Sequence, residues 1–318
     1  MKAVFFGTPQ WAVPSLDALV GSEHQVVGVV CNPDRPAGRR ARSLPCPVKT
    51  RAVELGLEPI LQPPSLRPRE VRQEILRLEA EVFVVVAYGR ILPGRLLDAP
   101  VHGAVNVHFS LLPRHRGASP VQHAIVCGDR ESGVSTMRMD RGLDTGPILL
   151  QHSTPIGPEE TTTELGARLA EIGARLLIET LDGLLSGDIT PRAQDETQAT
   201  VAPLLDKDAG RFRWEQPAEQ IARRVRAFAQ WPKVRAVGPR GVLLMRKVRA
   251  LPGEGADERQ PPGTVLERRG EAVAVACGAG SVLLLERVQP EGRREMSGAA
   301  ALAGGHLCLG GRLAVPPA

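Results

Sequence analysis

Short apolar segments rich in β-branched residues alternate with helix-like segments through the first half of this 318-residue chain. The strand-like runs lie at residues 2–7, 25–31, 82–87 (VFVVVA) and 101–108, and helix-like segments lie at 13–20, 69–78 and 121–127. Strands buried in a parallel sheet are apolar on both faces, and helices usually connect them. The pattern therefore predicts an α/β domain with a Rossmann-like open, mostly parallel sheet and helices on both faces. In such folds the ligand site lies at the carboxyl ends of the strands.

The pattern changes after a long helix predicted at residues 163–185. Residues 186–205 (SGDITPRAQDETQATVAPLL) lose hydrophobic periodicity and contain two prolines. Short β-rich runs follow at 242–251, 264–267, 272–277 and 281–288, with Gly- and Pro-containing turns between them. This spacing is typical of a small β-barrel. We therefore predict an α/β domain at 1–189, a linker at 190–207 and a smaller barrel domain at 208–318.

The net charge of +5 is unevenly distributed along the chain. Residues 1–202 carry −2, residues 203–318 carry +7, and residues 34–51 alone carry +5. Clustered Lys and Arg favour a polyanionic partner, because they neutralise phosphates and release counterions. A solvated basic surface explains the charge alone equally well. Aromatic residues make up only 3% of the chain, which argues against a platform that stacks single-stranded bases.

Cysteine usage and hydropathy exclude several further classes. The five cysteines form no C-x-x-C pair and no dense cluster with histidine, so we expect a reduced cytoplasmic protein without structural zinc. No run approaches the roughly 18 apolar residues that a membrane helix needs, so we expect no membrane association.

Asn106, His108 and Asp144 are the residues best suited to chemistry. Asn106 and His108 are two apart at a predicted strand end, so both side chains leave the same face. Asp144 lies in a loop framed by Gly142 and Gly146, where a structural Asx-turn is the alternative role. Together the three can stabilise an oxyanion and accept the proton of an attacking amine. The carboxylate would also orient the imidazole and favour its protonated form.

Two other features of the sequence have less specific interpretations. Ser110 follows His108 in a turn, where it suits backbone or ligand hydrogen bonds better than nucleophilic attack. A strand-to-helix loop carries four arginines, which suit contact with a phosphate backbone, although a solvated surface loop is the alternative. These arginines are Arg35, Arg39, Arg40 and Arg42.

Eight motifs occur in a specific order along the chain. They are residues 6–9 (FGTP), 33–39 (PDRPAGR), 86–93 (VAYGRILP), 106–113 (NVHFSLLP), 116–117 (RG), 139–146 (MDRGLDTG), 194–196 (QDE) and 231–232 (WP). With these motifs the chain resembles the methionyl-tRNA formyltransferase family, within the folate-dependent formyltransferase superfamily. The resemblance extends from residue 6 to the C-terminal barrel.

The resemblance implies transfer of a formyl group from 10-formyltetrahydrofolate, as co-substrate and without a metal, to the amino group of initiator methionyl-tRNA. It assigns the catalytic roles to Asn106, His108 and Asp144, and implies that the arginine loop and an OB-like C-terminal barrel bind the tRNA. We expect a cytoplasmic monomer. The resemblance also implies folate contacts from Tyr88, Gly89, Ile91, Leu92, Ser110, Leu111, Leu112, Pro113, Met139 and Asp140.

Two positions depart from the family pattern. Phe109 replaces a small residue and is expected to point away from the site, and His115 stands where an aromatic residue such as Trp is common. Related enzymes that hydrolyse 10-formyltetrahydrofolate or formylate sugar nucleotides could use the same catalytic residues, so they remain alternatives. A non-catalytic RNA-binding protein is an alternative of a different class.

Overall fold

The computed structural model describes residues 1–37, 42–251 and 260–316. The chain divides into two compact units. Unit 1 comprises Met1–Pro120, Glu131–Pro155 and Gly166–Pro203. Unit 2 comprises Val121–Arg130, Ile156–Leu165 and Leu204–Ala318.

The first nine strands of the chain belong to unit 1. They are β1 (Lys2–Gly7), β2 (Gln25–Val30), β3 (Arg35–Ala37), β4 (Arg42–Leu44), β5 (Ile60–Leu61), β6 (Val82–Val86), β7 (Ala104–His108), β8 (Glu131–Arg138) and β9 (Ile148–Pro155). The helices of this part of the chain are α1 (Val13–Val20), α2 (Pro47–Glu54), α3 (Arg69–Leu76), α4 (Gly94–Leu97), α5 (Pro120–Cys127) and α6 (Thr162–Ser186). Residues of α5 and α6 fall in both units.

Seven strands of unit 1 form one sheet in the order β5-β2-β1-β6-β7-β8-β9. The first five of these strands pair in parallel, and β8 and β9 pair antiparallel at one edge. The predicted Rossmann-like, mostly parallel sheet is therefore confirmed. Strand order reverses between β1 and β6, because the chain first builds outward to β2 and β5 and then returns to the other side of β1. Ligand sites of open α/β sheets lie beside such a reversal.

The central strands are apolar because both of their faces are covered. All five residues of β6 are buried, as are all residues of β1 after Lys2. The ring of Phe6 on β1 lies 5.2 Å from that of Phe83 on β6 and 5.5 Å from that of Tyr88. This packing explains why the sequence identifies these strands most clearly.

Several features of unit 1, among them β9 and a short hairpin, were not predicted from the sequence. β9 is an edge strand whose second half is exposed and polar, so it shows no apolar run. The arginine-rich segment, interpreted as a loop, contains the short antiparallel hairpin β3–β4, in which Arg35 pairs with Leu44 and Ala37 with Arg42. Three-residue strands are too short to produce a periodic signal.

Unit 2 contains an antiparallel sheet in the order β10-β11-β14-β13-β12, with β15 paired to β14. Its elements are α7 (Ala218–Ala227), β10 (Val234–Gly238), β11 (Gly241–Leu251), β12 (Val265–Arg269), β13 (Ala272–Ala276), β14 (Val282–Pro290), β15 (Met296–Ser297) and α8 (Gly298–Ala303). Residues 312–314 bridge to Thr264 before β12 and to Val237 on β10, and thereby link the two edges of the sheet. This arrangement agrees with the barrel predicted from the sequence, although β10 was missed.

The described residues include no helix with both the length and the apolar character of a membrane span.

Candidate active site

Asn106 and His108 lie at the carboxyl end of β7, where their spacing directs both side chains to one face of the strand. The strand is paired with β6 on one side and with β8 on the other. Both residues are buried, with 9% of Asn106 and 6% of His108 exposed. Strand pairing on both sides therefore fixes the backbone beneath this pair.

The His108 imidazole lies between two acceptors. Its Nε2 is 2.9 Å from the backbone oxygen of His115, and its Nδ1 is 3.6 Å from Oδ2 of Asp144. The first contact is a hydrogen bond in which Nε2–H donates. The second distance is longer than a hydrogen bond and leaves the other ring nitrogen facing the carboxylate. The ring is therefore bonded to the backbone on one side and faces Asp144 on the other.

Asp144 is turned toward His108 by its loop. Its φ is +54°, and its Oδ2 accepts a hydrogen bond of 2.8 Å from the backbone N–H of Gly117. The Asx-turn considered from the sequence exists, but Asp140 makes it: the Asp140 carboxylate accepts from the Gly142 N–H at 2.9 Å. The Asp144 carboxylate is thus directed to the site.

The amide of Asn106 is open to a ligand. Among the described residues no protein group hydrogen-bonds to its side chain, and 9% of the residue is exposed. The amide is not among the side-chain atoms that are fully buried without a partner, so it keeps contact with solvent. It can therefore donate to a ligand acceptor beside His108.

The predicted Ser110–Pro113 turn is held by hydrogen bonds within the protein. The Ser110 hydroxyl donates to the backbone oxygen of Arg114 at 2.6 Å, so it closes the turn. Ser135 Oγ donates to the Ser110 carbonyl at 2.7 Å and accepts from the N–H of Leu112 at 3.0 Å. The carbonyl of Pro113 accepts from Thr200 N–H at 3.3 Å.

The predicted folate contacts after β6 differ in exposure. Tyr88 and Leu92 are buried in the apolar core of unit 1, and burial raises the pKa of the Tyr88 phenol to about 12. Gly89 has a φ of +76°, and Ile91 is 88% exposed. Of these four, Ile91 is the residue whose side chain is free to meet a ligand.

The remaining predicted folate contacts flank the turn at 110–113. Leu111 packs over Gly133, because a Cβ added to Gly133 would lie 2.5 Å from Cδ2 of Leu111. Met139 is partly buried and packs against both Leu112 and the core around Leu92. Asp140 shapes the loop that carries Asp144.

The four loop arginines are only partly within the described chain. Arg35 and Arg42 lie on β3 and β4, and Arg39 and Arg40 lie outside the described residues. The base of this hairpin is fastened by an ion pair of 2.7 Å between Asp34 and Lys49. Because Asp34 precedes β3 and Lys49 lies in α2, this pair joins the two ends of the hairpin.

Phe109 packs away from the site, as expected from its position between His108 and Ser110. Its ring meets that of Trp11 edge-on at 6.2 Å, and Gly173 of α6 lies beside it. His115 contributes its backbone oxygen to His108, and its own N–H donates to Oγ1 of Thr200.

Sequence reasoning missed the roles of Arg116, Gln194 and Thr200, which bond to the loops around His108 and Asp144. The RG and QDE motifs marked two of these positions without indicating that they meet. No group of three or more His, Cys, Asp or Glu side chains in the described ranges is arranged to hold a metal ion.

Comparison with known proteins identifies the class of this site. The chain matches the family model described as "Formyl transferase" over residues 1–181 and the one described as "Formyl transferase, C-terminal domain" over residues 204–306. Both matches place it among the formyl transferases. It is 45% identical over 309 residues to methionyl-tRNA formyltransferase of Trichlorobacter lovleyi, covering 97% of this chain and 96% of the relative. It is also 45% identical to the Sorangium cellulosum protein of the same name, with 98% of each covered. The chain therefore belongs to the methionyl-tRNA formyltransferase family.

A solved structure shares the fold at low sequence identity. The sugar 3N-formyl transferase WlaRD, crystallised in the presence of dTDP and 5-N-formyl-THF, superimposes with a TM-score of 0.66 and 18% identity. The match covers 92% of this chain and 99% of WlaRD. The fold is thus common to formyl transferases of different names.

Proposed function

We propose that this protein transfers the formyl group of 10-formyltetrahydrofolate to the free amino group of initiator methionyl-tRNA. The observation that carries the proposal is the Asn106 amide, which makes no hydrogen bond to the described protein and keeps contact with solvent beside the His108–Asp144 pair. A transferred carbonyl group develops an oxyanion when an amine attacks it, and an amide N–H placed there stabilises that charge. Membership of the methionyl-tRNA formyltransferase family supports the choice of both substrates.

The proposed reaction uses Asn106, His108 and Asp144 in three different roles. The amine nitrogen forms a bond to the formyl carbon, and the electron pair of the C=O bond moves to the oxygen. The Asn106 amide donates to that oxygen, and the protonated His108 ring adds positive charge beside it. Asp144, directly or through a water, takes the amine proton. The bond from carbon to N10 then breaks, and the proton passes to N10, giving formyl-methionyl-tRNA and tetrahydrofolate.

The folate is proposed to bind along the turn at 110–113 and the segment after β6. The exposed side chain of Ile91 supplies apolar surface there, and the backbone of Gly89 is accessible without a Cβ. The complete set of proposed contacts is Tyr88, Gly89, Ile91, Leu92, Ser110, Leu111, Leu112, Pro113, Met139 and Asp140.

The tRNA is proposed to contact the arginine hairpin and the basic C-terminal part of the chain. The hairpin segment 34–51 carries +5 and residues 203–318 carry +7, which suits a phosphate backbone. We further propose a catalytic domain at 1–189, a linker at 190–207 and an OB-like tRNA-binding domain at 208–318, acting as a cytoplasmic monomer.

An acceptor competition assay tests this function. The protein is incubated with radiolabelled 10-formyltetrahydrofolate and either charged initiator tRNA, free methionine or a UDP-aminosugar, and release to water is measured in parallel. We expect label on the methionyl-tRNA at a rate at least about 100-fold above the other acceptors, because binding energy from the tRNA orients the amine. Label found only in formate would contradict the proposal and favour a hydrolase.

Two variants then separate chemistry from tRNA binding. Substituting His108→Ala removes the imidazolium and is expected to lower kcat by about 10²–10⁴ while tRNA affinity stays unchanged. Replacing Arg39, Arg40 and Arg42 by Gln in one triple variant should instead weaken tRNA binding. It should also flatten the plot of log affinity against log salt concentration, by about one unit of slope per lost phosphate contact. Normal binding and turnover by the triple variant would show that these arginines form only a solvated surface.

A further inference from the structure

Residues 194–202, here called the clamp segment, bond to the two loops that surround His108 and Asp144. This segment lies in the polar stretch predicted as a linker, and its residues all belong to unit 1. Val201 forms a parallel bridge with Arg116, whose N–H donates to the Thr200 carbonyl at 2.8 Å. The N–H of Ala202 donates back to the Arg116 carbonyl at 2.7 Å. The clamp segment is therefore a structural part of the site.

Gln194 joins the Asp144 loop to Arg116. Its Nε2 donates to the backbone oxygens of Asp144 at 2.8 Å and Gly146 at 2.7 Å. Its Oε1 accepts from Nη2 of Arg116 at 2.8 Å and from Nε at 3.0 Å. Both amide donors and the acceptor are thus engaged, which fixes the orientation of the side chain.

Arg116 is held at its other edge by Glu196. Two parallel hydrogen bonds of 2.8 Å run from Nη1 and Nη2 to the two carboxylate oxygens, a geometry that a lysine could not reproduce. The Glu196 carboxylate raises the pKa of Arg116. Only 7% of the Arg116 side chain is exposed, against 69% for Glu196. The guanidinium is therefore a buried charge, and its main counter-ion lies at the surface.

The residues on either side of Arg116 hold the catalytic pair. The backbone oxygen of His115 accepts from His108 Nε2, and the N–H of Gly117 donates to Asp144 Oδ2. One tripeptide thus supplies an acceptor to the imidazole and a donor to the carboxylate, while its central side chain is bound by the clamp segment. A shift of the backbone at Arg116 would therefore move the His115 carbonyl, which contacts His108, and the Gly117 N–H, which contacts Asp144.

We propose that Arg116 and Gln194 are positioning residues for formyl transfer, which hold the His115 carbonyl and Asp144 against His108. The proposal rests on the proposed function. The positive charge of Arg116 also interacts with Asp144 and Asp140, and these interactions raise the pKa of Arg116 further.

The test compares Gln194→Met and Arg116→Met with the control Gln198→Met. Gln198 lies in the same segment, but among the described residues its amide hydrogen-bonds only to the exposed Asp195. We expect kcat for formyl transfer to fall about 10- to 100-fold in the first two variants and to remain unchanged in the control, because small displacements of reacting groups cost about two orders of magnitude. KM for the folate should stay within about threefold in all three variants.

Arg116→Lys separates positioning from the effect of charge alone. It returns the positive charge without the bidentate geometry, so we expect kcat to stay low. Circular-dichroism spectra and thermal unfolding of each variant show whether the lowered kcat occurs in an intact fold.

Glu196→Gln changes a largely exposed side chain and keeps an amide oxygen that can accept from Arg116, but it removes the second carboxylate oxygen of the bidentate pair. We expect kcat to fall less than in Arg116→Met, with KM for the folate unchanged. Unchanged kcat in Gln194→Met and Arg116→Met would overturn the positioning proposal. Absence of formyl-methionyl-tRNA with the unsubstituted protein would instead contradict the proposed function, and the variants would then be compared on hydrolysis of 10-formyltetrahydrofolate.

Discussion

Asn106→Leu should separate activity from stability in this protein. Leucine has nearly the shape of asparagine but lacks the amide that we propose donates to the oxyanion. The Asn106 amide makes no hydrogen bond to the described protein, so its removal leaves no partner unsatisfied. The substitution should therefore abolish a catalytic contact without breaking a structural one.

The two expected magnitudes follow from this environment. Loss of one oxyanion donor lowers kcat by about 10²–10³, or about 2.7–4 kcal/mol. The Asn106 amide keeps contact with water and has no protein partner in the described residues, so its removal breaks no protein hydrogen bond and costs little stability. We therefore expect the free energy of unfolding to change by at most about 1 kcal/mol, which shifts Tm by at most about 2–4 °C in a unit of 150–250 residues.

The two effects are measured on one preparation. Single-turnover formylation of charged initiator tRNA gives the catalytic effect, and thermal unfolding monitored by circular dichroism gives the effect on stability. Asn106→Asp is the matched comparison, because it keeps the size but places a negative charge beside a developing oxyanion. It should also be inactive. A fall in Tm of more than about 5 °C with kcat changed less than tenfold would refute the reasoning, since the amide would then be structural.

Two further predictions concern the loop of Asp144 and the base of the arginine hairpin. Gly146→Ala should unfold that loop and lower Tm and kcat together, because its Cβ would lie 1.9 Å from the Arg138 carbonyl oxygen. Gly21→Ala is the control and should lower neither, because its Cβ would lie 3.4 Å from the nearest atom. Thermal melting and turnover measure both variants, and a fully active, stable Gly146→Ala would contradict the prediction. A hydrogen bond with the Cys31 thiol lowers the pKa of the half-buried Cys46 to about 6. Iodoacetamide labelling of Cys46, followed on its own peptide by mass spectrometry, should thus rise through about pH 6 and level off by about pH 8. Cys46→Ser should lose this label but keep the labels of the exposed Cys127 and Cys308. A rate at Cys46 that still climbs steeply above that pH would refute the assignment.

The central strands could be predicted from sequence because burial on both faces leaves a local pattern. β6 is a continuous apolar run and was located within one residue. β9 and β10 were missed because each is an edge strand of its sheet with exposed polar positions. For such strands the decisive information is the partner across the sheet, and no local pattern carries it.

The candidate site was predictable only where its residues are close in sequence. Asn106 and His108 follow from a two-residue spacing at a strand end. The direction of the Asp144 carboxylate does not follow from spacing, because it depends on a positive φ and on a hydrogen bond from Gly117. The contact between Arg116 and Gln194 joins residues 78 apart, so no periodicity could have indicated it.

A double-mutant cycle on His108 and Asp144 tests most directly the claim that these residues act as one unit. Formylation of charged initiator tRNA is measured for His108→Ala, Asp144→Asn and the double variant. His108 and the Asp144 carboxylate lie 3.6 Å apart and are proposed to act together on the same transition state, so the double variant should be within about threefold of the slower single variant. A double variant whose loss equals the product of the two single losses would contradict the account, because the residues would then contribute independently.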